Sequence, residues 1–149
     1  MSEHKARIEW KRETENFSYE SYNRDHIVEF DGGVRVPASA APAYRGNPAH
    51  MDPESSLVGA LSSCHMLTFL ALACKKQLVV DHYRDEAVGF VEKNAQGKLA
   101  VTRVVLHPKI TFGGTTPPTQ EQLTALHDRA HAECFIANSV TTEVTVEAG

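Results

Sequence analysis

The sequence predicts an α+β protein in which antiparallel sheets pack with two main helices, one of them a buried central helix. Three observations predict this: strand-like alternation before residue 37, one long apolar run at 55–74, and a second amphipathic run after residue 118. The order strands, helix, strands, helix, strand fits antiparallel pairing and not a doubly wound sheet. A chain of 149 residues is expected to form one domain, residues 1–149.

The segment 8–36 has strand character. Phe17 and Tyr19 alternate with polar neighbours, and the same alternation returns at 28–30, as in half-buried strands. The Asp-Gly-Gly sequence at 31–33 predicts a hairpin turn. Residues 37–51 contain three prolines, which predict an ordered loop before the first helix.

The long helix is predicted to begin at Asp52-Pro53 and to end near Lys75-Lys76. Asp is a good N-cap, Pro suits the first helical position, and the following Glu54 suits the positive end of the helix dipole. The apolar stretch has the length of a membrane-spanning helix, ~20 residues. Polar side chains near its middle, at 62, 63, 65 and 68, favour a core helix of a soluble protein instead.

The second half of the chain predicts a hairpin, a strand, a helix and a final strand. The hairpin joins 86–92 to 98–106, and a further strand follows at 110–112. Thr119 can cap a second helix that runs to about Phe135. Alternation at 140–146 predicts the last strand.

Each helix is expected to present one cysteine from its core-facing side, so Cys64 and Cys134 can meet if the helices pack together. A disulfide between them needs Cα atoms within ~7 Å. Cys74 lies off the stripe and is assigned to packing, and inert packing is an alternative for every helix cysteine. The stripes comprise Leu57, Leu61, Cys64, Thr68 and Ala71 on the first helix and Leu123, Leu126, Ala130 and Cys134, with His127 at the edge, on the second.

A metal site is the competing interpretation of the same residues. His127, His131 and Cys134 are spaced i, i+4, i+7, and Cys64-His65 can complete four ligands. No CxxC motif supports it. His65 lies ~100° from Cys64 around the helix, so we expect it to face elsewhere and to form a structural hydrogen bond.

Charge and cysteine content exclude several classes of protein. The net charge of −4 argues against a nucleic-acid binder. Three cysteines are too few for a disulfide-stapled secreted domain. The charged N-terminus has no apolar signal-peptide region. We therefore expect a cytoplasmic protein, where a retained cysteine is more often reactive than structural.

Two segments resemble the OsmC/Ohr family of osmotically inducible and organic hydroperoxide resistance proteins. The first has DPE at 52–54 and LSSCHMLTFL at 61–70, as in the central helix of that family; the second has AHAECFIANS at 130–139, as in its second cysteine block. Element order and chain length also fit, so the resemblance covers essentially the whole chain. Because His and Met follow Cys64 where well-characterised members have an aromatic residue, an OsmC-like subgroup is indicated.

The resemblance implies a thiol peroxidase that forms an intertwined homodimer with two active sites between the subunits. Cys64 would be the peroxidatic cysteine and Cys134 the resolving one. Glu54, ten residues before Cys64, matches the glutamate that holds a catalytic arginine. Arg45 is the first candidate for that arginine and Arg24 is the second.

The resemblance also implies the substrates and partners. Apolar residues around Cys64 favour organic hydroperoxides, and an external dithiol, such as a lipoyl group on a partner protein, would reduce the disulfide. No cofactor or metal, no nucleic acid and no membrane are expected. The alternatives are a redox-sensing or ligand-binding protein without rapid turnover, and the His/Cys metal-binding protein.

Overall fold

The computed structural model describes residues 1–147, and the chain forms two compact units, Met1–Ser56 and Leu57–Gly149. The first unit holds a three-stranded antiparallel sheet in the order β1-β2-β3. Its strands are β1 (Ala6–Glu9), β2 (His26–Phe30) and β3 (Arg35–Ala38), and a short 3-10 helix (Pro42–Tyr44) follows them.

The predicted turn between β2 and β3 is confirmed. Gly32 and Gly33 have φ angles of 90° and 89°, which glycine adopts without steric cost. The strand predicted around Phe17 is wrong, because residues 10–25 form a loop. In that loop Phe17 stacks on Trp10 and Tyr22, with ring centroids 6.0 and 5.1 Å away, so its alternation reflects an aromatic cluster and not a sheet.

Helix α1 (Pro53–Lys75) confirms the predicted long helix and its bounds. The Asp52 carboxylate caps it by accepting from the Ser55 backbone N–H at 2.8 Å. By length and composition it is the one helix among the described residues that can cross a membrane, and only 28% of its most apolar stretch is buried within the chain.

The buried stripe of α1 differs from the predicted one. It comprises Leu61, His65, Phe69, Leu72 and Ala73, rotated by about one residue from the predicted stripe. Of the predicted residues only Leu61 is buried. Because a nearly all-round apolar helix has no strong polar face, its sequence defines its buried side poorly.

Cys74 also departs from its prediction, since the structure leaves it exposed near the end of α1. It therefore does not fill the core within the chain.

Two sheets lie in the second unit. One is the antiparallel pair of β4 (Val79–Asp85) and β7 (Pro108–Gly113); the other has the order β5-β6-β8, with β5 (Val88–Lys93), β6 (Leu99–Leu106) and β8 (Glu143–Val146). The predicted hairpin is β5-β6. Strand β4 was not predicted, because its alternation is broken by a bulge between Val80 and His82.

The pairing of β8 with β6 is parallel, so the expectation of antiparallel pairing throughout is wrong for this pair. Helix α2 (Gln120–Glu133) lies between β7 and β8 along the chain and provides the long connection that a parallel pair needs. Its predicted Thr119 cap is confirmed as a capping box with Gln122.

Two apolar clusters cover the buried stripe of α1. Leu61 packs on Val104 and Leu106 of β6. Further along the helix, Phe69, Leu72 and Ala73 pack against Leu126 and Ala130 of α2, together with side chains of β4 and β7. These clusters fix the two helices that carry the cysteines.

Candidate active site

Cys64 is half-buried on α1, beside the buried stripe and not within it. It lies on an open groove of ≈ 850 Å³ whose other walls come from α1 and the segment after α2. Leu67 and Phe135 in this groove are 61% and 80% exposed, an unusual amount of uncovered apolar surface. The thiol is therefore accessible from an apolar side.

Cys134 ends α2, where it is the C-cap residue and only 1% exposed. Its Sγ accepts from the Ala137 backbone N–H at 3.4 Å. The chain turns sharply after it into the 3-10 helix Ala137–Ser139. This turn brings Cys134 against Cys64, so the structure places the two predicted cysteines together as free thiols.

The environment gives the two thiols opposite acidities. Burial alone raises the pKa of Cys64, but the Cys134 thiol, the backbone N–H groups of Ile136 and Phe135 and the Thr68 hydroxyl outweigh it, so this pKa lies below its usual value. Burial and the neighbouring Cys64 raise the pKa of Cys134. Cys64 is thus the more acidic thiol of the pair and Cys134 the less acidic one.

The lowered pKa of Cys64 differs from what an apolar helix alone predicts. Burial in such a helix raises the pKa of a cysteine and leaves it as a slowly reacting thiol. The side-chain pattern could not reveal the donors at 135 and 136, because they are backbone groups. Thr68 carried a weak signal, since it lies one turn after Cys64 on the same side of the helix.

His65 and His127 form a buried pair between α1 and α2, with 3.0 Å from His65 Nε2 to His127 Nδ1. The expectation that His65 faces away from Cys64 and forms a structural hydrogen bond is confirmed. His127, predicted at the edge of the core-facing stripe of α2, is buried with that stripe and is 4% exposed. No group of three His, Cys, Asp or Glu side chains within residues 1–147 is arranged to hold a metal ion. The metal-binding alternative gains no support.

Glu54 is not paired with an arginine in the described part of this chain, where its Oε2 is buried without a hydrogen-bond partner. It precedes Cys64 by ten residues on α1, ~15 Å along the axis, so it can act on the thiolate only through another group. Within residues 1–147 this oxygen has no cationic side chain at ion-pair distance.

The two candidate arginines differ in how their side chains are held. Arg24 is half-buried and donates to the carbonyl oxygens of Tyr19 and Tyr22. Its guanidinium carbon lies 3.6 Å from the Tyr22 ring centroid. Arg45 is exposed and has a left-handed backbone, with φ of 65°. The structure therefore holds the Arg24 guanidinium by hydrogen bonds and a close ring contact. Arg45 has one more distant ring contact, with 5.8 Å from its guanidinium carbon to the Tyr19 ring centroid.

The fold is α+β, and it brings two cysteines of unequal acidity together at an apolar groove. The family profile for OsmC-like protein matches residues 46–149. The chain belongs to the OsmC-like family.

Solved structures agree with this assignment. An OsmC-like protein of unknown function from Vibrio cholerae is 49% identical, with full coverage of both chains and a TM-score of 0.97. The organic hydroperoxide resistance protein OsmC from Legionella pneumophila is 16% identical over 99% of this chain and 96% of that one, with a TM-score of 0.72.

An organic hydroperoxide resistance protein from Elizabethkingia anophelis is 17% identical over 100% of this chain and 98% of that one, with a TM-score of 0.73. These two distant structures show the shared fold. No curated protein matches the chain.

Proposed function

We propose that the protein is a thiol-dependent hydroperoxide reductase in which Cys64 attacks the peroxide and Cys134 resolves the product. The observation that supports this most is the contact between two free thiols whose pKa values are shifted in opposite directions. Peroxide attack needs a thiolate, and a neighbouring thiol can then close a disulfide.

The reaction balances with these two residues and one proton. The Cys64 thiolate attacks one peroxide oxygen, the O–O bond breaks, and the alkoxide leaves as the alcohol after taking a proton. Cys64 is then a sulfenic acid. Cys134 attacks its sulfur, the hydroxyl leaves as water, and an external dithiol reduces the disulfide by exchange.

The groove favours hydroperoxides that carry an apolar group. Ala60, Leu67, Ala71 and Phe135 line it beside Cys64, and each buried CH₂ of a substrate contributes roughly 0.8 kcal/mol. We expect an organic hydroperoxide to react faster than hydrogen peroxide. A lipoyl group suits the same groove as reductant, because its dithiol is carried on an apolar chain.

We further propose that a second subunit completes the site, as the family resemblance implies. The apolar face of α1 around Leu67 is uncovered in one chain, and the polar residues in its middle favour a protein partner over a membrane. Arg24, held in place by its aromatic neighbours, is the better candidate for the arginine that Glu54 anchors. A cytoplasmic location fits a cycle that a dithiol completes.

One equivalent of cumene hydroperoxide per chain tests the two cysteine roles in a Cys74→Ser background. The parent is expected to lose two thiols as a Cys64–Cys134 disulfide, identified by peptide mass. Cys134→Ser should stop at a Cys64 sulfenic acid that dimedone traps, and Cys64→Ser should not react. Oxidation that begins at Cys134, or none, would contradict the proposal.

The same oxidation of Cys64 by cumene hydroperoxide distinguishes between the two candidate arginines. Arg24→Ala is expected to slow the loss of the Cys64 thiol by about tenfold or more, as expected for losing a charge-assisted contact. Arg45→Ala is the matched control and should leave the rate near that of the parent. Equal rates for both variants would remove Arg24 from the site.

A further inference from the structure

The His65–His127 pair links the two helices that carry the cysteines. Among residues 1–147 it is the only side-chain hydrogen bond between α1 and α2. His65 is 1% exposed, and the two rings are nearly parallel, at 9°, with centroids 5.3 Å apart. The proposed chemistry uses neither imidazole, so their role needs a separate explanation.

The pair is a poor choice for stability alone. His65 Nδ1 and His127 Nε2 are buried without a hydrogen-bond partner, and a buried unsatisfied polar group costs about 1–3 kcal/mol. Two apolar side chains of similar size would avoid this cost. Each such group in a native structure needs an explanation, and a functional role is one of them.

Both imidazoles are neutral at pH 7, as one donor–acceptor bond between them requires. Burial, His127 and His131 lower the pKa of His65 to about 4, against an opposing effect of Asp85. Burial likewise lowers the pKa of His127, with Asp128 and Asp85 opposing it. One ring therefore donates and the other accepts, without repulsion between charges.

The remaining contact between the helices is apolar. Phe69, Leu72 and Ala73 of α1 meet Leu126 and Ala130 of α2. Apolar association is non-directional, whereas a hydrogen bond weakens steeply with distance and angle. The histidine pair is thus the contact that fixes the register of the two helices, which is their relative position along their axes.

That register bears directly on the cysteines. His65 follows Cys64 on α1, and His127 lies seven residues before Cys134, ~10 Å along α2. Closing a disulfide brings the sulfurs to about 2.05 Å with a restricted dihedral angle. A small slip between the helices therefore slows the closure. It also weakens the donors that lower the pKa of Cys64, so the two effects are separated at a pH where the Cys64 thiol is fully ionised.

We propose that the His65–His127 hydrogen bond holds α1 and α2 in the register in which Cys134 closes a disulfide with Cys64. The two histidines are positioning residues, and they exchange no proton with either sulfur. The inference rests on the proposed function for the origin of the sulfenic acid. The closure itself is the step already described: an S–S bond forms, the S–O bond breaks, and water leaves with the Cys134 proton.

A disulfide probe tests the closure without any peroxide. In a Cys74→Ser background, 4,4′-dithiodipyridine is attacked by the Cys64 thiolate, which releases one thiopyridone and leaves a mixed disulfide. Cys134 then attacks the Cys64 sulfur and releases the second thiopyridone. The two releases are followed by absorbance and report access and closure separately.

Two double variants isolate the hydrogen bond. His65→Leu/His127→Leu removes both partners and leaves no orphan, whereas His65→Gln/His127→Asn keeps an amide where Nε2 and Nδ1 stood. At a pH where Cys64 is fully ionised, we expect the Leu pair to slow the second release about tenfold, the value of roughly one hydrogen bond, with the first release unchanged. The Gln/Asn pair should close at nearly the parent rate.

Two controls distinguish the loss of this hydrogen bond from a general destabilisation of the fold. His131→Leu removes a neighbouring α2 imidazole that makes no side-chain hydrogen bond within residues 1–147, and should change neither release. The swapped pair His65→Asn/His127→Gln has the same side chains in the wrong positions, and should close slowly even if the Leu pair fails to fold.

Closure at the parent rate in the Leu pair or the swapped pair, with a native circular dichroism spectrum, would overturn the inference. So would equal slowing in the Gln/Asn pair. If cumene hydroperoxide does not oxidise Cys64 but the releases behave as expected, the proposed function fails and the positioning role stands.

Discussion

At the scale of single residues, the chemistry depends on how the Cys64 thiolate is stabilised in a partly apolar setting. Burial opposes the charge, and the Cys134 thiol together with two backbone N–H groups overcomes that opposition. The donors come from the segment after α2, so the same turn that brings Cys134 to Cys64 also lowers the pKa of Cys64. In the proposed reaction the nucleophile and the resolving thiol are thereby coupled.

This coupling predicts how the acidity of Cys64 responds to its neighbour. A lowered pKa means that Cys64 alkylation by iodoacetamide reaches half its maximal rate at a lower pH than alkylation of an unperturbed cysteine. Cys134→Ala removes the largest contact that lowers this pKa, so the midpoint should move to higher pH. Cys134→Ser keeps a hydroxyl donor, so its midpoint should lie between those of the parent and Cys134→Ala.

The measurement is the pH profile of labelling at Cys64, in a Cys74→Ser background, with the site identified by mass spectrometry. A midpoint that is the same in the parent and in Cys134→Ala would show that the cysteines do not influence one another.

At the scale of elements, the bounds of α1 and α2 were predictable and the orientation of α1 was not. Asp52, Pro53 and Thr119 mark helix starts by local hydrogen bonding, which a sequence reveals directly. The buried side of α1 depends on which sheet and helix cover it, and an apolar helix offers little local contrast. The cysteines could be paired from the resemblance, but the backbone donors could not.

The exposed side of α1 carries its own prediction. If a second subunit covers it, Leu67→Asp places a charge in the interface and should convert a dimer into a monomer, as measured by sedimentation velocity. Leu99→Asp is the matched control, because Leu99 on β6 is 62% exposed against 61% for Leu67. It should leave the dimer intact.

A wild-type monomer, or an unchanged dimer in Leu67→Asp, would contradict this interface. In either case the uncovered groove would need another occupant.

At the scale of the whole molecule, the groups of the proposed site are distributed over both units of the chain. The second unit supplies Cys64, Cys134 and the groove, while the first contains the ordered Arg24 and the unpartnered Glu54 carboxylate. An intertwined dimer of the kind that the family resemblance implies would give these groups their partners. The 49% identical relative is itself of unknown function, so the activity has to be established on this protein.

Steady-state turnover of cumene hydroperoxide with excess dihydrolipoamide tests the central claim most directly. The account predicts that the wild type and Cys74→Ser form cumyl alcohol continuously, over many equivalents per chain, and that Cys64→Ser forms none. Consumption that stops after one equivalent per chain, although the dithiol is still present, would contradict the claim and indicate a redox switch.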